Sequence, residues 1–394
     1  MHSLHHTSLT SAAKYFDIII VGAGPAGSTC ALALADSGLR VALMDKSTFP
    51  RDKVCGDAIA SYVPKVLASI NPSFEKQIDT FEERYVVDTY RIVAPGGKRV
   101  DVKLTKSGFI SKRMDFDNFL LELTASQRNI SYFLGYNVTD VSIDERSAEA
   151  TVTANGEVFK AKIVIGCDGA QTLVGKKTRE LKHDLSHHSA AVRAYYKNVG
   201  GMSNGTFELH FINEILPGYF WIFPLNDNIV NVGIGAVSSS ISKGKINLRE
   251  SLKHVITSIP SISERFENAE MIGTIKGFGL PLGSRKVTMS GDHFMLCGDA
   301  ASLIDPMTGE GIGQAMVSGR YAGWHAIRCF ERNDFSSAFM VEYDQQVHAK
   351  FWKKHRRNYL MQKYLMNRPA LIKGVVSAAS RSKAIRDFLT DHLM

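Results

Sequence analysis

The sequence predicts an α/β protein in two domains, one built on a parallel sheet and one largely antiparallel, followed by a helical C-terminal segment. Three observations predict this. The β-branched run Ile18-Ile19-Ile20-Val21 stops at glycines in the spacing Gly22-x-Gly24-x-x-Gly27. Two later apolar runs, at residues 161–165 and 294–297, also end at a glycine and an acid. Between residues 187 and 285 apolar and aromatic residues alternate with period two, and no long helical pattern interrupts them.

The first run reads as strand, turn and helix. Gly22 allows the turn, Gly24 lets a pyrophosphate approach the backbone, and Gly27 lets the helix pack close to the strand. The small residues at 28–35, with Ala26 and Gly27 before them, form the helix, which ends at Gly38. Its free N–H groups and positive dipole end face the turn. Glycines at this spacing also occur in ordinary turns. Here the next strand, residues 40–45, ends in Asp45, about twenty residues beyond the turn, where a carboxylate meets a ribose hydroxyl. The unit is therefore a Rossmann-like dinucleotide-binding βαβ.

At 394 residues the chain is long enough for more than one domain. No apolar run reaches the roughly 18 residues of a spanning helix. Residues 1–15 are polar with three histidines and no apolar core of a signal peptide, so they read as a disordered tail and not a metal site. Five cysteines without a C-x-x-C pair fit a reducing compartment, with neither disulfides nor a metal. We expect a cytoplasmic protein, in contact with a membrane if the tail binds one. The net charge of +8 is unevenly placed: residues 350–394 hold eleven Lys/Arg against two Asp/Glu, so the remaining 36 cations and 37 anions leave the body near neutral. A neutral body without a nucleic-acid motif argues against nucleic acid as a partner.

In chain order, Asp45 and Lys46 lead into Lys53-Val54-Cys55-Gly56-Asp57, read as a loop entering a helix near Ala58. A helix start suits an anion and is a setting that activates a thiol, although a small buried cysteine is the blander reading. Residues 85–104 form a hairpin about Pro95-Gly96-Gly97. Arg113 precedes a helix, as a phosphate contact or a surface charge. Residues 136–165, including Val138, form a meander turned at Asn155-Gly156. In the antiparallel region Tyr219, Trp221 and Phe223 share one sheet face, either as core or as the wall of an apolar cavity. Asp299 follows the last apolar run. A glycine-rich loop with Gly309, Gly311, Ile312 and Gly313 then opens a long helix and presents N–H groups to a carbonyl-rich or anionic ligand. Three such strand ends, far apart in sequence, suit one ligand as large as FAD. The basic tail reads as helices in which Lys353, Lys354, Arg356 and Arg357 interleave with Phe351, Trp352, Tyr359 and Leu360, either a solvated cap or a contact with anionic lipid.

These motifs give the chain a family likeness. It resembles FAD-dependent oxidoreductases of the p-hydroxybenzoate hydroxylase fold, and specifically the geranylgeranyl reductase family, over residues 16–345. The first glycine motif, Cys167-Asp168-Gly169 and Gly298-Asp299-Ala300 are similar to the wider fold. Lys53-Val54-Cys55-Gly56-Asp57 and the P-x-Y-x-W-x-F-P stretch from Pro217 to Pro224 are similar to the reductases. The resemblance implies non-covalent FAD, held by Gly22, Gly24, Ala26, Gly27, Asp45, Lys46, Gly56, Asp57, Arg113, Val138 and Asp299, with the loop of Gly309, Gly311, Ile312 and Gly313 toward the flavin's carbonyl edge. It implies Cys55 as the catalytic group near the flavin, and Tyr219, Trp221 and Phe223 against a small apolar, lipid-like substrate. Asp57 stands where the family more often has a second glycine.

The implied domains are an FAD-binding domain over residues 16–84, 105–186 and 286–345, a substrate-binding β domain over 85–104 and 187–285, and a basic helical segment over 346–394. The implied activity is reduction of C=C bonds of an isoprenoid or other long apolar chain by hydride from reduced flavin. The rival is an aromatic hydroxylase using a flavin hydroperoxide; a halogenase fits less well, because Tyr219 stands where halogenases carry tryptophan. NADPH, a ferredoxin or free reduced flavin could supply electrons, since no second glycine motif is present for a nicotinamide cofactor.

Overall fold

The computed structural model describes residues 13–144, 149–179 and 184–393. Three sheets carry the chain. The first has six strands in the spatial order Ser290–Gly291, Phe294–Leu296, Ile163–Gly166, Ile18–Val21, Val41–Asp45, Ile130–Leu134. Its neighbours are parallel except for the short pair at one edge. Ile19 lies between Ala42 and Val164 in register. The central strands are buried on both faces, which is why they read as unbroken apolar runs rather than alternating ones.

Helices Pro25–Ala33 and Ile312–Arg332 cross tightly beside this sheet. Glycines make the approach possible. A Cβ on Gly319 would lie 2.1 Å from the Ala26 carbonyl oxygen, and one on Gly323 would lie 2.8 Å from the Ala33 Cβ.

The meander Val138–Asp144, Glu149–Ala154, Glu157–Ala161 forms the second, four-stranded sheet. Its Asn155-Gly156 turn has both residues at positive φ, as a tight hairpin requires. The last strand of the predicted meander, Ile163–Gly166, instead leaves for the parallel sheet. Of the expected N-terminal tail, residues 1–12 lie outside the described residues. Lys14–Tyr15 form a short strand parallel to Glu157–Ala161.

The third sheet has eight strands in the order Glu270–Pro281, His188–Lys197, Ile229–Val237, Gly218–Pro224, Thr206–His210, Tyr85–Val93, Arg99–Ile110, Ala58–Ile59. Only the junction of Thr206–His210 with Tyr85–Val93 is parallel. Two expectations fail here. No helix starts near Ala58: Ala58–Ile59 is an edge strand on Phe109 and Ile110, and the next helix is Val63–Ala68. Gly108 admits that strand, since a Cβ there would lie 2.9 Å from the Ile59 oxygen. In addition, Ser238–Gly244, Leu248–Ser258 and Pro260–Phe266 are helices inside the region read as strands. Asn247 caps the longest of them by accepting N–H bonds from Arg249 and Glu250.

The two faces of this sheet are covered differently. Leu252, Val255 and Ile262 of those helices pack on Phe220, Ile222 and Val232. The opposite face carries Trp221, Phe223 and Leu209, in one cluster with Ile372, Val376 and Leu389 of the C-terminal helices Pro369–Arg381 and Lys383–Leu393. The helix before them, Ser337–Tyr364, runs unbroken through residue 345.

Candidate functional site

One extended cavity of about 750 Å³ joins the carboxyl ends of the parallel strands to the aromatic face of the eight-stranded sheet. That is where ligands bind in open α/β sheets. It is lined by Gly22, Gly24, Ala26, Asp45, Lys46, Cys55, Gly56, Asp57, Arg113 and Val138, and further along by Asp299, Gly309, Gly311, Ile312, Tyr219, Trp221 and Phe223. Gly27 and Gly313 serve packing: a Cβ on Gly27 would sit 1.7 Å from the Gly22 oxygen, and one on Gly313 would sit 2.2 Å from the Tyr62 hydroxyl.

The glycine turn divides its labour. Gly22 has φ +102°, and a Cβ there would strike the Cys167 carbonyl at 2.3 Å. A Cβ on Gly24 would meet only the tips of Arg51, Arg113 and Asp117, at 3.4 Å or more. That glycine therefore keeps space open instead of filling it. Asp45 accepts the Ala23 and Ser47 N–H groups, each at 2.9 Å, which fixes its carboxylate beside the turn. Arg113 is buried and grips Asp117 with two bonds at 2.6 and 2.7 Å, and Arg51 shares that carboxylate at 2.9 Å. Burial of Arg113 disfavours its charge, but the Asp117 carboxylate outweighs this and holds the guanidinium protonated. The convergence of Arg51 and Arg113 on Asp117 was not read from the sequence; Asp117 follows Arg113 by one helical turn, the spacing of an ion pair.

Two helix N-termini open on the cavity, those of Pro25–Ala33 and Ile312–Arg332. Gly24 and Gly311 cap them without a side-chain hydrogen bond, so their N–H groups are left for a ligand. The third acid expected at a strand end does otherwise. Asp168 accepts from Leu173 and Val174 at 2.6 and 3.0 Å and so caps its own helix. Asp299 faces Lys53 at 3.4 Å.

The aromatic wall follows from cross-strand pairing. Tyr219, Trp221 and Phe223 stand opposite Gly235, Gly233 and Asn231. A Cβ on Gly233 would lie 2.1 Å from the Trp221 ring, so small residues make room for large ones. Ring centres step 6.0 Å from Tyr219 to Trp221 and again to Phe223. The Trp221 indole N–H donates to Asn231 Oδ1 at 2.9 Å, and the Tyr219 hydroxyl donates to the Thr308 carbonyl. Both polar tips are thereby satisfied.

Cys55 lies in an extended loop, not at a helix start. Its carbonyl accepts from Asn231 Nδ2 at 2.8 Å. A Cβ on Gly56 would meet the Phe223 ring at 3.3 Å, which places the Cys-Gly-Asp loop flat against the aromatic wall. Asp57 is fully buried at φ +66°. Its Oδ2 accepts from the Tyr195 hydroxyl at 2.7 Å and from Asn231 at 2.8 Å, while Oδ1 has no partner. Tyr195 and Asn231 were missed in the sequence, although an asparagine on an otherwise apolar strand was a readable signal. Among the described residues, no group of three or more His, Cys, Asp or Glu could hold a metal.

Residues 16–171 match the family model described as pyridine nucleotide-disulphide oxidoreductase, and residues 188–278 match the geranylgeranyl reductase catalytic domain. A digeranylgeranylglycerophospholipid reductase of Methanococcus vannielii is 30% identical over 356 residues, 88% of this chain and 84% of that protein. The chain belongs to the geranylgeranyl reductase family. It is an FAD-dependent oxidoreductase. A menaquinone reductase of Mycobacterium tuberculosis is 28% identical over 316 residues, 78% of this chain and 75% of the relative. The fold is that of a geranylgeranyl bacteriochlorophyll reductase-like protein of Thermoplasma acidophilum, at TM-score 0.83, 24% identity and 97% coverage of each chain. It is also that of a point mutant of halogenase PltM in complex with FAD, at TM-score 0.73 and 16% identity, covering 95% of this chain and 85% of that one.

The residues of this geranylgeranyl reductase family member fit FAD. Space is kept open at Gly24, basic groups stand beside the turn, and two uncapped helix N-termini face one cavity.

Proposed function

We propose that the protein reduces C=C bonds of an isoprenoid or similar long apolar chain. The observation that carries this reading is the aromatic wall, continuous with the cofactor end of the cavity and roofed by the apolar faces of the C-terminal helices. The curated relatives named for reduction of a geranylgeranyl lipid or a menaquinone support it.

When bound, FAD supplies hydride in its reduced state. The first glycine turn and Asp45 would hold the adenosine half, with Val138 beside it, and Arg113 with Arg51 would stand toward the phosphates. The helix opening at Gly311 and Ile312 would offer N–H groups to the flavin's carbonyl edge, where they would stabilise negative charge. The parallel sheet thus serves the cofactor and the eight-stranded sheet the substrate. Tyr219, Trp221 and Phe223 align an apolar chain, exclude water and stabilise transient positive charge by cation–π attraction. An isolated alkene is a poor electrophile, so orientation must supply much of the rate, on the order of 7–11 kcal/mol. Cys55 stands at the junction of cofactor and wall, where it positions the reacting carbon or handles its proton.

The physiological electron donor is NADPH, a ferredoxin or reduced flavin, and dithionite can replace it in an assay. FAD-loaded protein, dithionite and a geranylgeranylated lipid under nitrogen should give product heavier by one dihydrogen per reduced bond. No mass gain, with oxygen-dependent NADPH oxidation on adding an aromatic, would point to hydroxylation instead.

We also propose a peripheral lipid contact. Trp352, Leu360, Tyr364 and Leu371 border a surface groove with Lys353, Arg356 and Arg368. Leu360, Tyr364 and Leu371 are exposed. No described helix is long and apolar enough to cross a membrane. Each basic residue near an anionic surface contributes about 1 kcal/mol. Flotation with anionic vesicles that is lost in high salt is the expected result; flotation indifferent to lipid charge and salt would contradict it.

A further inference from the structure

The glycine-rich loop that opens the helix at Ile312 is held from outside the parallel sheet. Asp305 first closes the loop on itself. Its Oδ1 accepts the Met307 and Thr308 N–H groups at 2.9 and 3.0 Å, its own N–H donates to the Glu310 carbonyl at 2.8 Å, and its carbonyl accepts from Gly309 at 3.1 Å. Asp305 is fully buried, and its Oδ2 accepts from Asn358 Nδ2 at 2.7 Å. Asn358 is fully buried as well. Its Oδ1 accepts from the Arg357 guanidinium at 3.2 and 3.3 Å, which turns the amide N–H groups toward Asp305.

Asn358 belongs to helix Ser337–Tyr364, in the basic segment of the chain. One turn further on, Gln362 donates to the Pro306 carbonyl, and one turn back, Lys354 stands 3.8 Å from Glu310 Oε2. Residues four apart share a helix face, so these three form one stripe against the loop. From the aromatic wall the Tyr219 hydroxyl donates to the Thr308 carbonyl. The consequence is electrostatic. The carbonyl oxygens of Asp305, Pro306, Thr308 and Glu310 are all taken by donors of the protein. Turned toward the flavin's carbonyl edge, such oxygens would oppose the negative charge that reduction places there. With them tied back, the loop ends on the N–H groups of Gly311 and Ile312, at a helix start with no side-chain cap.

We propose that Asn358 and Gln362 are positioning residues of the flavin loop, and that the helix carrying them sets how readily the bound flavin is reduced. The proposal rests on the placement of the flavin's carbonyl edge at Gly311 and Ile312 given above, and not on the identity of the alkene. It gives the inner face of the basic helix a part in the cofactor site, distinct from the outer face that borders the surface groove.

The test uses full-length, FAD-loaded protein without substrate. The readout is the midpoint potential of the bound FAD, found by stepwise reduction under nitrogen against a reference dye. The variants are Asn358→Leu, Gln362→Met and Ile312→Pro, with Gln346→Ala, exposed on the same helix, as the control. Loss of either bond to the loop should move the potential to a more negative value. A tenfold fall in the ratio of reduced to oxidised flavin, the scale of one hydrogen bond, corresponds to about 30 mV for a two-electron couple. Q346A should match the wild type. Methionine is close to glutamine in size, so Q362M decides the matter if N358L unfolds or loses FAD. I312P deletes an N–H group assigned to the flavin, at the first helical position, where proline is tolerated, and behind a glycine that meets no clash with it. A shift in I312P with Q362M at the wild-type potential would overturn the proposal and leave the placement of the flavin edge standing. An unshifted I312P would overturn that placement and the proposal with it.

Discussion

At the scale of single residues, the site depends on atoms that are absent as much as on atoms present. Gly27→Ala would drive a Cβ into the Gly22 carbonyl oxygen. Neither atom can rotate away, because both belong to the backbone of the turn. We expect destabilisation of about 3 kcal/mol and purification without FAD absorbance. Cys55→Ala should keep FAD bound and lose alkene saturation, as read by flavin spectrum and product mass; full retained activity would remove Cys55 from the chemistry. Away from the cavity, Glu208 is buried and holds His210 at 2.9 Å and Arg265 at 2.8 Å. Burial pushes its carboxyl upward, but those two partners outweigh it and hold it down at about 2. Its folded value lies below the roughly 4.3 of an unfolded glutamate, so its contribution is complete above that value and is lost as pH falls toward 2. Glu208→Gln should cost about 3–5 kcal/mol near neutrality and flatten the loss of stability in acid, measured by urea unfolding at several pH values.

At the scale of elements, the parallel sheet and its glycine turn were legible because local rules and tertiary role coincide. Ile18–Val21 is apolar throughout since it is buried on both faces, and Gly22 must be glycine at φ +102°. The aromatic wall was legible through its period of two. The misreadings share a cause. Ala58–Ile59 is a strand only because residues fifty positions away offer an edge, and Asn231 matters only because Cys55, Asp57 and Trp221 converge on it. Neither partner set is visible in a local window. The helices at 238–266 did leave a local mark, in the Asn247 cap, which the surrounding strand pattern obscured. The element that most shapes the substrate end is the C-terminal helix pair. Removing residues 369–394 would uncover Tyr90, Val100 and Val102. It should leave FAD bound by the distant parallel sheet and abolish productive turnover on long lipids, read by flavin retention against product mass.

At the scale of the whole molecule, a parallel sheet and an eight-stranded sheet border one cavity, and the C-terminal helices pack on the apolar face of the second. The uneven charge makes sense in that layout. The body is near neutral, and the cations gather on the helices that border the substrate region. The account stands on reduced flavin passing its electrons to an isoprenoid alkene. The most direct measurement is a single turnover without oxygen: reduce the bound FAD, remove excess reductant, mix with a geranylgeranylated lipid, and follow flavin absorbance. Return of the oxidised spectrum in step with a saturated product is the predicted result. Flavin that stays reduced beside the lipid and reoxidises only when oxygen enters would contradict it.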